Sequence, residues 1–138
     1  MLDYMAAYYH SEGRSFSEKA AAAAVRDFIA RPSAGKLQLV TLNGVPVGYH
    51  CLVYGYSLEH HGRDAFLDEI YISPEHQRSG VGSRVLQLLT ATLKRNGFRA
   101  LHLVAMSKRM GVQRFYQRNG FIKQRVVFMT KVLAASRR

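Results

Sequence analysis

The sequence predicts an α/β fold: a mixed, mainly antiparallel central sheet with helices on both faces. Two observations carry that prediction. Stretches with strand-like apolar patterning and stretches of helical period are interleaved along the chain, and turn-forming residues stand at the joints between them. At 138 residues with 48% hydrophobic content, the chain is one domain, 1–138, long enough to bury a real core. It contains no internal repeat, low-complexity segment or linker.

The elements follow in order. Leu2, Met5, Ala6 and Tyr9 recur at spacings of three and four, which predicts a short helix over 2–10. Ser15-Phe16-Ser17-Glu18 has the Ser-x-x-Glu form of a capping box, and the alanine-rich stretch after it should be helical up to Ala30, ended before Pro32. Segments 37–42 and 45–56 are strand-like and joined by Asn43-Gly44, a two-residue hairpin signal, with Pro46 where a missing N–H disturbs pairing least. A strand over 66–72, a helix over 80–96 stopped by Gly97 and a strand over 100–105 come next. A helix over 110–118 and a strand over 126–133 finish the chain, with a short strand expected at 121–123.

Composition narrows the function classes. No apolar run approaches a membrane span and the first ten residues do not read as a signal sequence, so a cytoplasmic protein without membrane partners is expected. Cys51 is the single cysteine, cannot form an internal disulfide and reads as core filling; no Cys/His spacing suggests a metal, and His60-His61 reads as a solvated hairpin pair. Twenty Lys and Arg against nine Asp and Glu give a net charge of +11. The cations are scattered from Arg14 to Arg138 without the dense runs of nucleic-acid arms, which favours a field that collects an anionic ligand.

The most informative stretch is Gln77-Arg78-Ser79-Gly80-Val81-Gly82, between the 66–72 strand and the long helix. Two glycines there let successive N–H groups and the positive helix end converge on one spot suited to phosphate. A dinucleotide fingerprint would need a glycine where Val85 stands, and a P-loop would need Gly-Lys-Ser/Thr. The remaining Gln-x-x-Gly-x-Gly resembles the acyl-CoA pyrophosphate loop of the GNAT N-acetyltransferase superfamily. Leu67 to Glu75 resembles that family's fourth strand, with a carboxylate nine residues before Gln77 and Pro74 ending the strand. Phe115-Tyr116 followed by Asn119-Gly120-Phe121 resembles its aromatic helix and turn.

The resemblance implies acetyl-CoA as cosubstrate, held by main-chain groups of Ile70, Tyr71 and Ile72 along the pantetheine arm. Gln77, Arg78, Ser79, Gly80, Val81, Gly82 and Ser83 would then surround the pyrophosphate. It also implies that the strands at 66–72 and 100–105 run parallel and splay apart. Tyr116 holds the family's general-acid position, four residues before Gly120. Gln77 replaces a frequent arginine, and Arg109 stands where an asparagine is frequent, so cation–phosphate contact would replace amide hydrogen bonds there.

Acetyl transfer to an amine needs a proton acceptor, an oxyanion donor and a group to discharge the thiolate, but no covalent enzyme intermediate. The chain has no Gly-x-Ser-x-Gly elbow, so direct transfer in a ternary complex is the simpler reading. Asp68 and Glu69 are the candidate bases; strand alternation puts residues 68, 70 and 72 on one face and 69 and 71 on the other. Tyr8, Tyr9, Glu12 and Glu59 are the candidate acceptor-binding residues, with carboxylates suited to a cationic amine on a small molecule or a protein. A non-catalytic acyl-CoA-binding module and a basic nucleic-acid-associated domain are the competing readings. Relative to the family, a first strand is missing before the 2–10 helix. The edge at Leu37, Leu39, Val40 and Leu42 is therefore expected to be covered by a partner subunit in a homodimer or by the chain's own termini, or else the natural protein starts upstream.

Overall fold

The computed structural model describes residues 1–134. Two helices, α1 (Leu2–Ser11) and α2 (Glu18–Ile29), lead into β1 (Gly35–Leu42), β2 (Val45–Ser57) and β3 (Gly62–Ile72). A 3-10 turn (Pro74–His76), α3 (Val81–Arg95), β4 (Ala100–His102) and α4 (Met110–Arg118) follow. The sheet order is β1-β2-β3-β4; the first two pairings are antiparallel and β3–β4 is parallel. Asn43 and Gly44 both adopt positive φ, 53° and 79°, as a tight hairpin turn requires.

The main core lies between the sheet and α3. Val85, Leu86, Leu89 and Leu93 form one buried stripe of the helix and pack on Val40, Leu52, Ala65, Leu67 and Ile72. The opposite face is aromatic: Tyr49 is completely buried, beneath the tyrosines of α1. The register places Leu52 opposite Leu67 but Cys51 opposite Glu69, so Asp68 is the extra residue of a β-bulge. The bulge corrects the simple alternation expected for this strand. Leu67 and Ile70 both join the α3-side core, while Glu69 turns to α1.

Three further boundaries differ from expectation. The side chain that caps α2 is Ser17, whose hydroxyl accepts from the Ala20 amide, not Ser15; the β-region backbone of Ser17 is the conformation an N-cap needs. Strand β4 pairs only at Ala100, Leu101 and His102, because β3 diverges from it beyond Phe66. The expected strands at 121–123 and 126–133 are not formed; these residues find no ladder partner, and Val126, Val127, Phe128 and Met129 face solvent. At the other end of the sheet, β1 has no outer strand neighbour among the described residues. No described helix is long and apolar enough to cross a membrane.

Candidate active site

The site forms where β3 and β4 part. Beyond the pairing of Phe66 with His102, β3 continues to Ile72 while β4 ends, which leaves the edge of Leu67 to Ile72 without a strand neighbour on that side among the described residues. The chain then turns through Gln77 to Gly80, with Arg78 and Gly80 at φ 60° and 88°, into α3. No side chain caps α3, so the amides of its first turn remain free to meet an anion. Ser79 donates to the His76 carbonyl at 2.5 Å and holds the loop closed. Gln77 donates to the Ile72 carbonyl at 2.6 Å, so this residue ties the loop to the strand end instead of presenting its amide nitrogen outward. Ser83 accepts from the Asn119 side chain at 3.2 Å, which links the start of α3 to the end of α4.

On the α1 side, Glu69 accepts hydrogen bonds from the Tyr9 and Tyr49 hydroxyls, each at 2.7 Å, one on each carboxylate oxygen. Burial, followed by these bonds to an anion, raises both phenols well above their usual range. Among the described residues, Asp68 makes no side-chain hydrogen bond. Desolvation and the neighbouring Glu69 raise its carboxyl, partly offset by Arg14. The two adjacent acids therefore differ in setting: Glu69 is tied down by two hydroxyls, and Asp68 is not.

Tyr116 stands on α4 between Phe115 and Phe121, at ring distances of 5.2 and 5.7 Å. Burial first, then the proximity of Tyr8 and Glu12, pushes its phenol up to about 12, against a lowering by Arg109. Tyr8 is the link between the two halves of the site. It lies within electrostatic reach of Glu12, Asp68 and Glu69, and its ring packs on Tyr9, Tyr49 and Tyr71 at 5.8, 6.3 and 6.3 Å. The Arg14 guanidinium rests 4.3 Å over the Tyr9 ring and 5.4 Å over that of Tyr8, so this aromatic wall already receives a cation.

The structure thus brings Tyr8, Tyr9, Glu12, Asp68, Glu69 and Tyr116 within hydrogen-bonding or electrostatic reach of one another through Tyr8 and Glu69. It pairs Arg109 with Glu12 in an ion pair across the α1–α4 gap, so each neutralises the other. It separates Glu59, which lies in the turn between β2 and β3, a full strand length from the loop at Gln77. Sequence reading missed Tyr49, the second donor to Glu69. Its position opposite Tyr71 in the hairpin was the available signal, since cross-strand neighbours share a face. Cys51 sits opposite Glu69, and burial, with Asp68 and Glu69 nearby, pushes its thiol up to about 12. A thiol held protonated in this way is a poor nucleophile. No cluster of metal-ligating side chains occurs among the described residues.

The sequence profile of the acetyltransferase (GNAT) family matches residues 3–121. Among solved structures, an integron cassette protein, HFX_CASS3, from the mobile metagenome of Cole Harbour Salt Marsh is similar at 27% identity. Its TM-score is 0.83 over 98% of this chain and 84% of that one. A possible acetyltransferase from Clostridium difficile 630 is 15% identical, with a TM-score of 0.80 over 96% of this chain and 92% of that one. The aminoglycoside acetyltransferase meta-AAC0020, from an uncultured soil metagenomic sample and solved in complex with sisomicin, is 12% identical. Its TM-score is 0.77, covering 96% and 86% of the respective chains. The last two likenesses concern the fold alone. No curated protein matched the sequence.

Proposed function

The chain belongs to the acetyltransferase (GNAT) family, and from that premise we propose that it transfers an acetyl group from acetyl-CoA to a primary amine by direct attack in a ternary complex. The observation that carries this reading is that Tyr8 lies within electrostatic reach both of the β3 carboxylates Asp68 and Glu69 and of the Tyr116 phenol. A candidate base and a candidate acid thus fall within reach of one residue, beside the part of β3 that has no strand neighbour among the described residues, which supports this reading. The uncapped α3 start, with Arg78 beside it, suits the CoA pyrophosphate. Ser79 and Ser83 add hydroxyls at the same turn. The strand edge at Ile70, Tyr71 and Ile72, where Gln77 occupies only the Ile72 carbonyl, suits the amides of the pantetheine arm.

Asp68 accepts the proton that the ammonium group must lose to become a nucleophile, directly or through a water. The amine nitrogen then bonds to the thioester carbonyl carbon, the carbon–sulfur bond breaks, and the departing thiolate takes the Tyr116 proton. The surplus proton on the new amide nitrogen passes back to the Tyr116 phenolate, and Asp68 releases its proton to solvent. Glu69 is a positioning residue that fixes Tyr9 and Tyr49 as the floor of the acceptor side. The tyrosine wall that receives Arg14 suits a cationic acceptor, on a small molecule or a protein. A cytoplasmic setting fits this cosubstrate.

The test is thiol release from acetyl-CoA in the presence of a panel of primary amines and lysine-containing peptides. Acceptor-dependent release with stoichiometric N-acetyl product supports the reading. Tight acetyl-CoA binding without release for any acceptor would instead make the chain a CoA-binding module.

A further inference from the structure

Between β1 and α3 runs a cleft of about 600 Å³, within the roughly 300–1,000 Å³ typical of small-molecule pockets. Ser79 and Gly80 close one end of it; the rest is lined by residues that acetyl transfer does not use. One wall is β1. Strand alternation puts Lys36 and Gln38 on the same face as Val40, which joins the core under α3. The other wall is a row of α3 at spacings of four, Arg84, Leu88, Thr92 and Asn96, beside the helix's buried stripe. Leu52 and Leu89, both buried, lie beneath.

One polar group in this cleft is left over. His50 lines it, is 5% exposed, and its Nδ1 has no hydrogen-bond partner. Buried polar atoms are almost always partnered, so an orphaned ring in a cavity wall points to a ligand that completes it. Gln38 stands directly opposite His50 in the β1–β2 ladder, and Lys36 lies within electrostatic reach of the imidazole. Lys36 and Arg84 both line the cleft, and no Asp or Glu among the described residues joins them there. The cleft therefore favours an anion at its polar end and hydrocarbon over its leucines.

We propose that this cleft binds a linear alkyl carboxylate, with the head group among Lys36, Gln38 and His50 and the chain along Leu52, Leu88 and Leu89. The carboxylate oxygens accept from the Lys36 ammonium, the Gln38 amide and the imidazole N–H, which gives the buried ring its partner. The chain covers Leu88, which is otherwise 51% exposed. Binding is non-covalent, and it does not depend on how the acetyl site works.

The test is titration calorimetry of the full chain with decanoate, kept below its micelle-forming concentration, and in parallel with acetate and decyltrimethylammonium. Decanoate should bind saturably at one per chain. The other two should bind at least about tenfold more weakly, since acetate lacks the chain and decyltrimethylammonium has the opposite charge. Lys36→Glu reverses the charge beside His50, and Leu88→Glu sets a carboxylate in the path of the chain. Both positions are exposed, so the fold should persist while each variant weakens decanoate binding about tenfold or more. Decanoate should also shift the His50 ring signals in the NMR spectrum. Absence of saturable decanoate binding would overturn the proposal, as would equal binding of the cationic analogue. So would His50 signals that do not move, or folded variants that bind as tightly as the parent. The ligand preference and the His50 signals of the parent chain decide the matter even if a variant does not fold.

Discussion

Phe115 stands so close to Gly82 that a Cβ built there would lie 3.1 Å from the ring Cζ. The second loop glycine therefore lets α4 approach the start of α3, and any side chain at position 82 would press on the ring beside Tyr116. A cofactor test at this position would confuse lost packing with lost binding. Arg78 offers a cleaner probe, since it is exposed and its positive φ is equally demanding for any non-glycine residue.

Arg78→Glu is expected to raise the acetyl-CoA Kd at least about tenfold by replacing an attraction to pyrophosphate with a repulsion. Thermal stability should hardly change. Titration calorimetry at low and high salt checks this, and the difference between variant and parent should shrink as salt screens the charge. Equal Kd values at low salt would remove Arg78 from the cofactor site.

Asp68 and Glu69 should separate into a catalytic and a positioning role. Asp68→Asn is predicted to lower kcat by about 10² or more while leaving the melting temperature close to that of the parent. Glu69→Gln loses an anionic acceptor shared by two phenols and should cost about 1–3 kcal/mol of stability, with a smaller effect on kcat at temperatures where it is folded. Because the Asp68 carboxyl is raised, the acid limb of kcat/KM should lie above the ordinary carboxylate range, and it should vanish in Asp68→Asn. The reverse pattern in the two variants would make Glu69 the base.

His50 gives a prediction about stability. It is 5% exposed and its Nδ1 has no hydrogen-bond partner. Burial, helped by Lys36, lowers its imidazole from the usual value to about 4. The folded state thus refuses a proton that the unfolded chain accepts below about pH 6.5. His50 should contribute stability that is fully present above that pH and is lost as pH falls towards 4, on the order of 3 kcal/mol in all. Thermal melts of the parent and His50→Leu across pH 4–7 check it: the parent should lose ground to the variant as pH drops. Parallel curves would show the imidazole to be protonated without penalty.

Local chemistry made much of the architecture legible. Asn43-Gly44 fixed a hairpin, and the bounds of α4 follow from its apolar spacing between Met110 and Arg118. The bulge at Asp68 was not legible, because it exists only as a mismatch between two strands: Leu52 faces Leu67, yet Cys51 faces Glu69. The same holds for Tyr49 and for the contact of Gly82 with Phe115, both set by partners distant in sequence. Segment 126–133 shows the converse, since its strand composition is plain while the edge it needs is not supplied by its own neighbours.

Tyr116→Phe tests the central claim most directly. Burial keeps this phenol protonated up to about pH 12, so across the neutral range it carries the proton that the account assigns to the leaving thiolate. Removing only the hydroxyl leaves the packing with Phe115 and Phe121 in place. The measurement is kcat for amine-dependent thiol release, set beside the acetyl-CoA Kd of the same preparation. The account predicts a fall in kcat of ~10² to 10⁴ with Kd unchanged. A folded variant turning over at the parent rate would contradict it.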